Sequence, residues 1–276
     1  MIAVWASSGV ARPVAVAVDS LAAHAVAART AAGALAVVGG GGWCAAAGAA
    51  LRSGARAILV LHPAGGSAAE LNELHAAAGG VAFMVERRRR PSQLTEQVRD
   101  LLTAPGTGDA PASLIEIDVS APEAELTDAL TDALAWADVI GRTSHLTLEG
   151  HAPTRHGAIA RLTARTGVGG DTRPTSVVVT ATAIRAGAGA LRVTLLASVR
   201  VEVEIDLDAG TQRVTVTDQR GATTLAPPFE DPLRHGLRQA IRRLGGAEPT
   251  DDLEALIRDR ASAGGILNPR SRHKSV

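Results

Sequence analysis

Five short apolar runs without polar interruption dominate the first third of the chain: IAVW (2–5), VAVAV (14–18), LAVV (35–38), AILVL (57–61) and AFMV (82–85). A run that does not alternate suits a strand covered on both faces, as in a parallel sheet. Ala-rich segments of helical length, 20–32, 44–54 and 67–79, lie between most of them. Strand alternating with helix predicts a layered α/β arrangement. The gap from Trp5 to Val14 is too short for a crossover helix. The first repeat therefore reads as abnormal, with its helix deleted.

After Pro91 the grammar changes. SQLTEQVRDLLTA reads as a helix opened by Ser92, SLIEIDVS alternates like a half-exposed strand, and APEAELTDALTDALAWADVIG is helical, with Leu126, Leu130 and Leu134 on one face. Strands follow: SHLTLEG, GAIARLTART, TSVVVTATAI, ALRVTLLASVRVEVEIDLD and QRVTVTDQ. In VRVEVEIDLD the residues Val201, Val203, Ile205 and Leu207 point one way and the charged residues the other. DAGTQ is a hairpin turn between two such strands. The pattern predicts an open, mainly antiparallel sheet with one solvated or partner-facing side. Two helices close the chain, DPLRHGLRQAIRRL and TDDLEALIRDRAS, the second with a capping-box pattern from Asp251 to Glu254. The fold class is α/β plus α+β, with domains over 1–91 and 92–276.

Basic and acidic residues balance, 28 against 28, so nothing steers the chain to nucleic acid or to a membrane surface. No run approaches the roughly 20 apolar residues of a membrane span. MIAVWASSGVARP has no basic segment ahead of its apolar run, against a secretory signal. One cysteine, Cys44, fits a reducing compartment, and the expected location is cytoplasmic. Tyrosine is absent and Lys274 is the one lysine, which excludes a tyrosine acid or a buried lysine from any chemistry.

The stretch from Leu51 to Leu102, LRSGARAILVLHPAGGSAAELNELHAAAGGVAFMVERRRRPSQLTEQVRDLL, resembles the middle of the glucose–fructose oxidoreductase, inositol dehydrogenase and MocA (Gfo/Idh/MocA) family. FEDPLRHGLRQAIRR after an open sheet is similar to that family's second domain. The resemblance implies a reduced Rossmann-like parallel sheet, an NAD(P) cofactor and oxidation or reduction of sugar-like alcohols. It also carries departures. Where the family has E-K-P this chain has Leu61, His62 and Pro63, so His62 replaces the lysine. Where a first strand should feed GxGxxG it has ASSGVA, Ala6 to Ala11, with two of three glycines missing. Asp19 resembles the acid that binds a ribose hydroxyl. Gly33 to Gly40 resembles the family's D-a-V-v-v-a-t-P with glycines for the acid and the proline. The catalytic histidine of D-x-x-x-H falls near Asp132.

Each candidate has a functional and a structural reading. His62 is a general acid or base with a pKa near working pH, or a polar cap on a strand end. Gly39, Gly40 and Gly41, with Gly42, cradle a phosphate at a helix N-terminus, or form a plain turn. Arg87 to Arg90 attract a phosphate or carboxylate, or form a solvated face, the commoner outcome for such a run. Asp128, Asp132 and Asp138 present paired carboxylates or an exposed helix face. His145, His151 and His156 lack a metal-ligand spacing, and no metal is expected. Trp43 and Trp136 are core or pocket walls, and Cys44 is a small apolar residue.

These departures lead to an oxidoreductase-like protein that has lost ordinary hydride transfer. It binds a small polar metabolite or serves as a structural partner, with no cofactor expected. Self-association as a homo-oligomer is expected through the open sheet. The alternative is an active enzyme that uses His62 and Asp132 as acid–base groups, with or without NAD(P).

Overall fold

A computed structural model describes residues 1–103, 112–141, 143–168, 171–246 and 252–268. The chain divides into two compact units, one made of Met1–Gln93 with Phe229–Arg258 and the other of Leu94–Pro228 with the chain from Asp259 onward. The sequence reading put both closing helices in the second domain. Instead, the segment from Phe229 to Arg258 groups with the first.

The first unit holds a five-stranded sheet of β1 (Ile2–Ala6), β2 (Ala25–Ala27), β3 (Leu35–Gly39), β4 (Ala57–Leu61) and β5 (Ala82–Glu86), in the order β2-β1-β3-β4-β5. Every pairing is parallel. The strands β3 and β4 are buried at every position, as their unbroken apolar runs require. The helices of this unit are α1 (Ala11–Asp19), α2 (Trp43–Arg52), α3 (Ala68–Ala78) and α6 (Pro232–Leu244). α7 (Asp252–Leu267) adds Leu253 and Leu256 to its core.

VAVAV is a helix and not a strand. In α1 the residues Val14, Ala17 and Val18 are buried while Val16 stands open, a three-and-four spacing that selects one helical face. Pro13 suits the first turn, where no N–H is needed. The first crossover helix is therefore present. The stretch read as helix 20–32 is instead a turn, the short edge strand β2 and the start of a loop. From β2 the chain reaches β3 through residues 28–34, which contain no helix. α3 keeps its sequence signature: Ser67 and Glu70 form a reciprocal capping box, and Gly79 closes the helix at φ 54°.

The second unit is built on an eight-stranded sheet. It comprises β6 (Leu114–Pro122), β7 (Thr143–Thr154), β8 (Gly157–Val168), β9 (Asp171–Ile184), β10 (Ala190–Leu196), β11 (Arg200–Asp206), β12 (Thr211–Asp218) and β13 (Gly221–Thr224). Their order is β13-β12-β11-β10-β6-β9-β8-β7. Only β6 with β9 pairs parallel; the rest are antiparallel. α4 (Ser92–Thr103), a 3-10 turn at Glu123–Glu125 and α5 (Leu126–Gly141) complete the unit. α5 is buried on all sides from Ala129 to Ala137, and its leucines face the apolar side of the sheet. Asp206 Oδ1 accepts from the backbone N–H groups of Asp208 and Ala209 and so fixes the β11–β12 hairpin turn. The capping box read at Asp251 lies outside the described residues. Among the described residues, no helix is long and apolar enough to cross a membrane.

Candidate cofactor and active site

From β1 the chain passes to β2 on one side and then returns to β3 on the other. The strand order reverses between β1 and β3. In open α/β sheets, the crevice outside the carboxyl ends of the strands at such a reversal is where ligands bind.

Two helices start at this crevice. The loop Ser7–Val10 leads from β1 into α1, and Gly40–Gly42 lead from β3 into α2. Neither helix has a side-chain cap at its first turn, where Val10 and Gly42 stand. By contrast, Ser67 caps α3 and Asp231 caps α6. At α1 the N–H groups of Ala11 and Arg12 are left over, since Pro13 has none. At α2 the Trp43 N–H already donates to the Gly40 carbonyl at 3.3 Å. The remaining N–H groups and the positive dipole ends suit an anion. Ser7, only 9% exposed, adds a buried hydroxyl with no hydrogen-bond partner among the described residues. A buried polar group left unmatched calls for an explanation, and a bound ligand oxygen supplies one.

The glycines divide by role. A β-carbon on Gly39 would stand 2.8 Å from the Leu61 carbonyl oxygen and 2.9 Å from Val10 Cγ1. The crevice floor is thus packed backbone to backbone. Gly40 sits at φ 78°, in the left-handed region. Gly41 meets neither constraint, since a β-carbon there would touch nothing within 4 Å.

Asp19 is misplaced for a ribose contact. It ends α1, which runs back from the carboxyl ends of the strands, so it lies at the opposite edge of the sheet. The residues that do follow β2 are Ala28, Arg29 and Thr30.

His62 follows β4, and its N–H donates to the Glu86 carbonyl at 2.7 Å. It is the sole non-glycine with positive φ among the described residues, at 46°. A residue before proline normally stays extended, so His62 holds a strained backbone. Strain of this kind collects at functional sites. Its ring is exposed at the surface, yet surrounding protein crowds it enough to lower its pKa below the ordinary value. The Arg88 guanidinium pushes the same way and Asp231 opposes. A histidine so placed is neutral near pH 7 and can accept a proton.

Sequence reasoning missed Glu86. It ends β5, is 3% exposed, and accepts a hydrogen bond at Oε1 from the Ser92 N–H at 2.9 Å. Burial pushes its pKa up to about 7, against the lowering effect of Ser92 and of Arg90. The sign of something unusual was a glutamate closing an apolar run just before four arginines. Those arginines are no solvated face: Arg87 and Arg89 are 1% and 2% exposed, and Arg88 alone is open. Also missed was the group at the start of α6. Asp231 accepts from the Arg234 N–H at 3.1 Å, and Glu230 binds Arg234, Arg238 and the buried His235.

Asp132 is in the second unit, on α5 and 6% exposed, so it belongs to a core helix and not to an exposed face. Asp128 pairs with Arg260. His151 and His156 are exposed, and the side chain of His145 lies outside the described residues. Trp43 and Trp136 are fully buried, and Cys44 is partly so. A groove of about 830 Å³ lies on the charged face of the second sheet. Its Glu204 pairs with both Arg192 and Arg213 across β10, β11 and β12.

No family of known sequence pattern matches the chain, and neither does any curated protein. Solved structures do match it. An oxidoreductase from Sinorhizobium meliloti superposes with a TM-score of 0.69 at 12% identity, covering 99% of this chain and 98% of that one. A UDP-N-acetylglucosamine 3-dehydrogenase from Acidithiobacillus ferrooxidans gives 0.66 at 14% identity, over 96% of each chain. A 3-ketoreductase from Actinomadura kijaniata in complex with NADP gives 0.64 at 15% identity, again over 96% of each. The shared fold is a parallel Rossmann-like sheet followed by a mixed, mostly antiparallel one. The expectation of no cofactor does not stand. It rested on a deleted helix, α1 is present, and structures of this fold include a complex with NADP.

Proposed function

We propose that the protein is a Gfo/Idh/MocA-type oxidoreductase that binds a nicotinamide dinucleotide in the β1/β3 crevice and acts on a sugar-like alcohol or ketone. The observation that carries this reading is the pair of uncapped helix N-termini at the strand-order reversal, with the buried, unmatched Ser7 hydroxyl directly after β1. Ser7, the first-turn N–H groups of α1 and α2, and the Gly40 turn would hold the pyrophosphate. The nicotinamide, when bound, supplies or accepts the hydride.

His62 performs the proton work. Neutral near pH 7, its imidazole takes the hydroxyl proton as an alcohol is oxidised and returns it as a ketone is reduced. The lowered pKa favours the neutral form and therefore oxidation. Asp231 opposes that shift and stabilises the imidazolium formed on proton uptake. Asp132, in the second unit, has no step in this scheme. A metabolite-binding protein without turnover keeps one support, His62 standing where the resembling family has lysine.

The test is binding followed by turnover. NADPH or NADH at 100 times its Kd should stabilise the fold by about 2.7 kcal/mol, and a panel of sugars and nucleotide sugars should show consumption or production of reduced nicotinamide. Binding without turnover across such a panel supports the metabolite-binding reading. Absence of saturable binding contradicts both the cofactor and the enzyme.

A further inference from the structure

We propose that the second unit holds a binding site for a small α-amino acid, taken as its zwitterion by Glu123 and by the turn Arg155–His156. The site is independent of the cofactor reading. A cavity of about 320 Å³ opens there, at the small end of ligand pockets. Its walls come from the 3-10 turn before α5, the β7–β8 turn, the end of β9 and the end of α7, all within the second unit. Glu123, Arg155 and His156 are exposed. Among the described residues, none of their side chains has an ion-pair or hydrogen-bond partner. A carboxylate and a guanidinium thus line one small cavity without neutralising each other.

The fold does not call for Arg155 and His156. They are the two residues of a tight turn, in which Thr154 pairs with Gly157. Two-residue turns that match the strand twist need positive φ and favour Asn, Asp or Gly. Neither Arg155 nor His156 has positive φ, and local departures of this kind gather at functional positions. The turn is nonetheless seated firmly on β9. The Ala183 N–H donates to the His156 carbonyl at 2.6 Å, and a β-carbon on Gly157 would stand 1.9 Å from the Ala181 carbonyl oxygen. The Arg155 guanidinium offers two parallel N–H groups to a carboxylate, and His156 offers a ring N–H in either charge state. A simple anion would be repelled by Glu123 and a simple cation by Arg155. A molecule with a carboxylate and an ammonium on one carbon meets both. Leu126, Ala183 and Leu267 supply an apolar wall that suits a small aliphatic side chain.

The experiment is calorimetric titration of the full chain with L-alanine and L-valine, each beside its N-acetyl form and its amide. The free amino acids should saturate. Blocking either charge should weaken binding by about 10- to 100-fold, the range expected of charge-assisted hydrogen bonds. Glu123→Gln should lose the preference over the N-acetyl form, and Arg155→Ala the preference over the amide. Both side chains are exposed, so both variants should melt with the wild type. The blocked ligands test the wild type by themselves, whatever a variant does to the fold. No saturation by either amino acid up to about 10 mM, tenfold above a millimolar Kd, overturns the site. So does an N-acetyl form that binds as tightly as the free acid, which would leave Glu123 without a role. Amino-acid binding that survives both substitutions places the ligand elsewhere and overturns it as well.

Discussion

A β-carbon on Gly39 would lie 2.8 Å from the carbonyl oxygen of Leu61, so the ends of β3 and β4 meet with no space for a side chain. Gly39→Ala should destabilise the protein by about 1–3 kcal/mol, as overpacking does. Gly41→Ala, two residues away and facing open space, should change stability by less than about 0.5 kcal/mol. Denaturant unfolding of the two variants beside the wild type checks the contrast. Equal effects would mean that the floor is not closed by this contact.

Glu86 predicts an acid-side dependence of stability with a definite sign. Its folded pKa is raised from 4.5 to about 7 by burial, so between those values the folded state holds a proton that the unfolded state has lost. Its contribution is full below about pH 4.5 and is lost as pH rises to 7, with a total on the order of 3 kcal/mol. Glu86→Gln should flatten the stability profile in that window. A variant as steep as the wild type there would refute the assignment.

His62 separates function from fold. His62→Gln should lower turnover by about 10²–10⁴-fold while the melting curve shifts little. His62→Gly should lose activity equally but cost no stability, because glycine accepts φ 46° without strain. In the oxidation direction the wild-type rate should be flat at neutral and alkaline pH and fall on an acid limb below pH 6.5, since the pKa is lowered. A folded His62→Gln protein with full turnover removes histidine from the chemistry.

Much of this architecture was readable from residue order, and the failures have physical causes. AILVL and LAVV gave β4 and β3 because no helix of a water-exposed layer carries such unbroken runs. VAVAV misled because a short unbroken apolar run reads the same in a buried strand and in a helix, while burial follows Val14, Ala17 and Val18. That error removed α1 from the expected fold, placed Asp19 at a strand end and argued the cofactor away. The arginines at 87 and 89 are buried despite their charge, which no local pattern signals. The return of FEDPLRHGL to the first unit is a long-range event, so Asp231 could not be placed beside His62 from sequence. Gly39 and Gly40 were read as a phosphate cradle or a plain turn; the packing against Gly39 and the backbone angle of Gly40 are features that only coordinates distinguish.

The second sheet should mediate self-association. Its charged face carries Arg192, Arg200 and Arg213 in ion pairs with Glu202 and Glu204, so it holds both signs of charge and can meet its own copy. Exposed pairs of this kind add at most about 1 kcal/mol to stability. Glu204→Lys should therefore leave the fold intact but lower the mass measured by light scattering at micromolar concentration. A monomer mass in the wild type contradicts this.

The most direct test of the cofactor crevice compares wild type with Ser7→Ala by NADPH titration, with apo melting measured alongside. Without ligand, the buried Ser7 hydroxyl has no partner among the described residues, so removing it should leave the apo protein as stable or slightly more so. With ligand, the lost hydrogen bond should weaken NADPH binding by about 2- to 12-fold. An apo protein destabilised by the change, with NADPH affinity unaltered, would place the dinucleotide elsewhere and contradict the account.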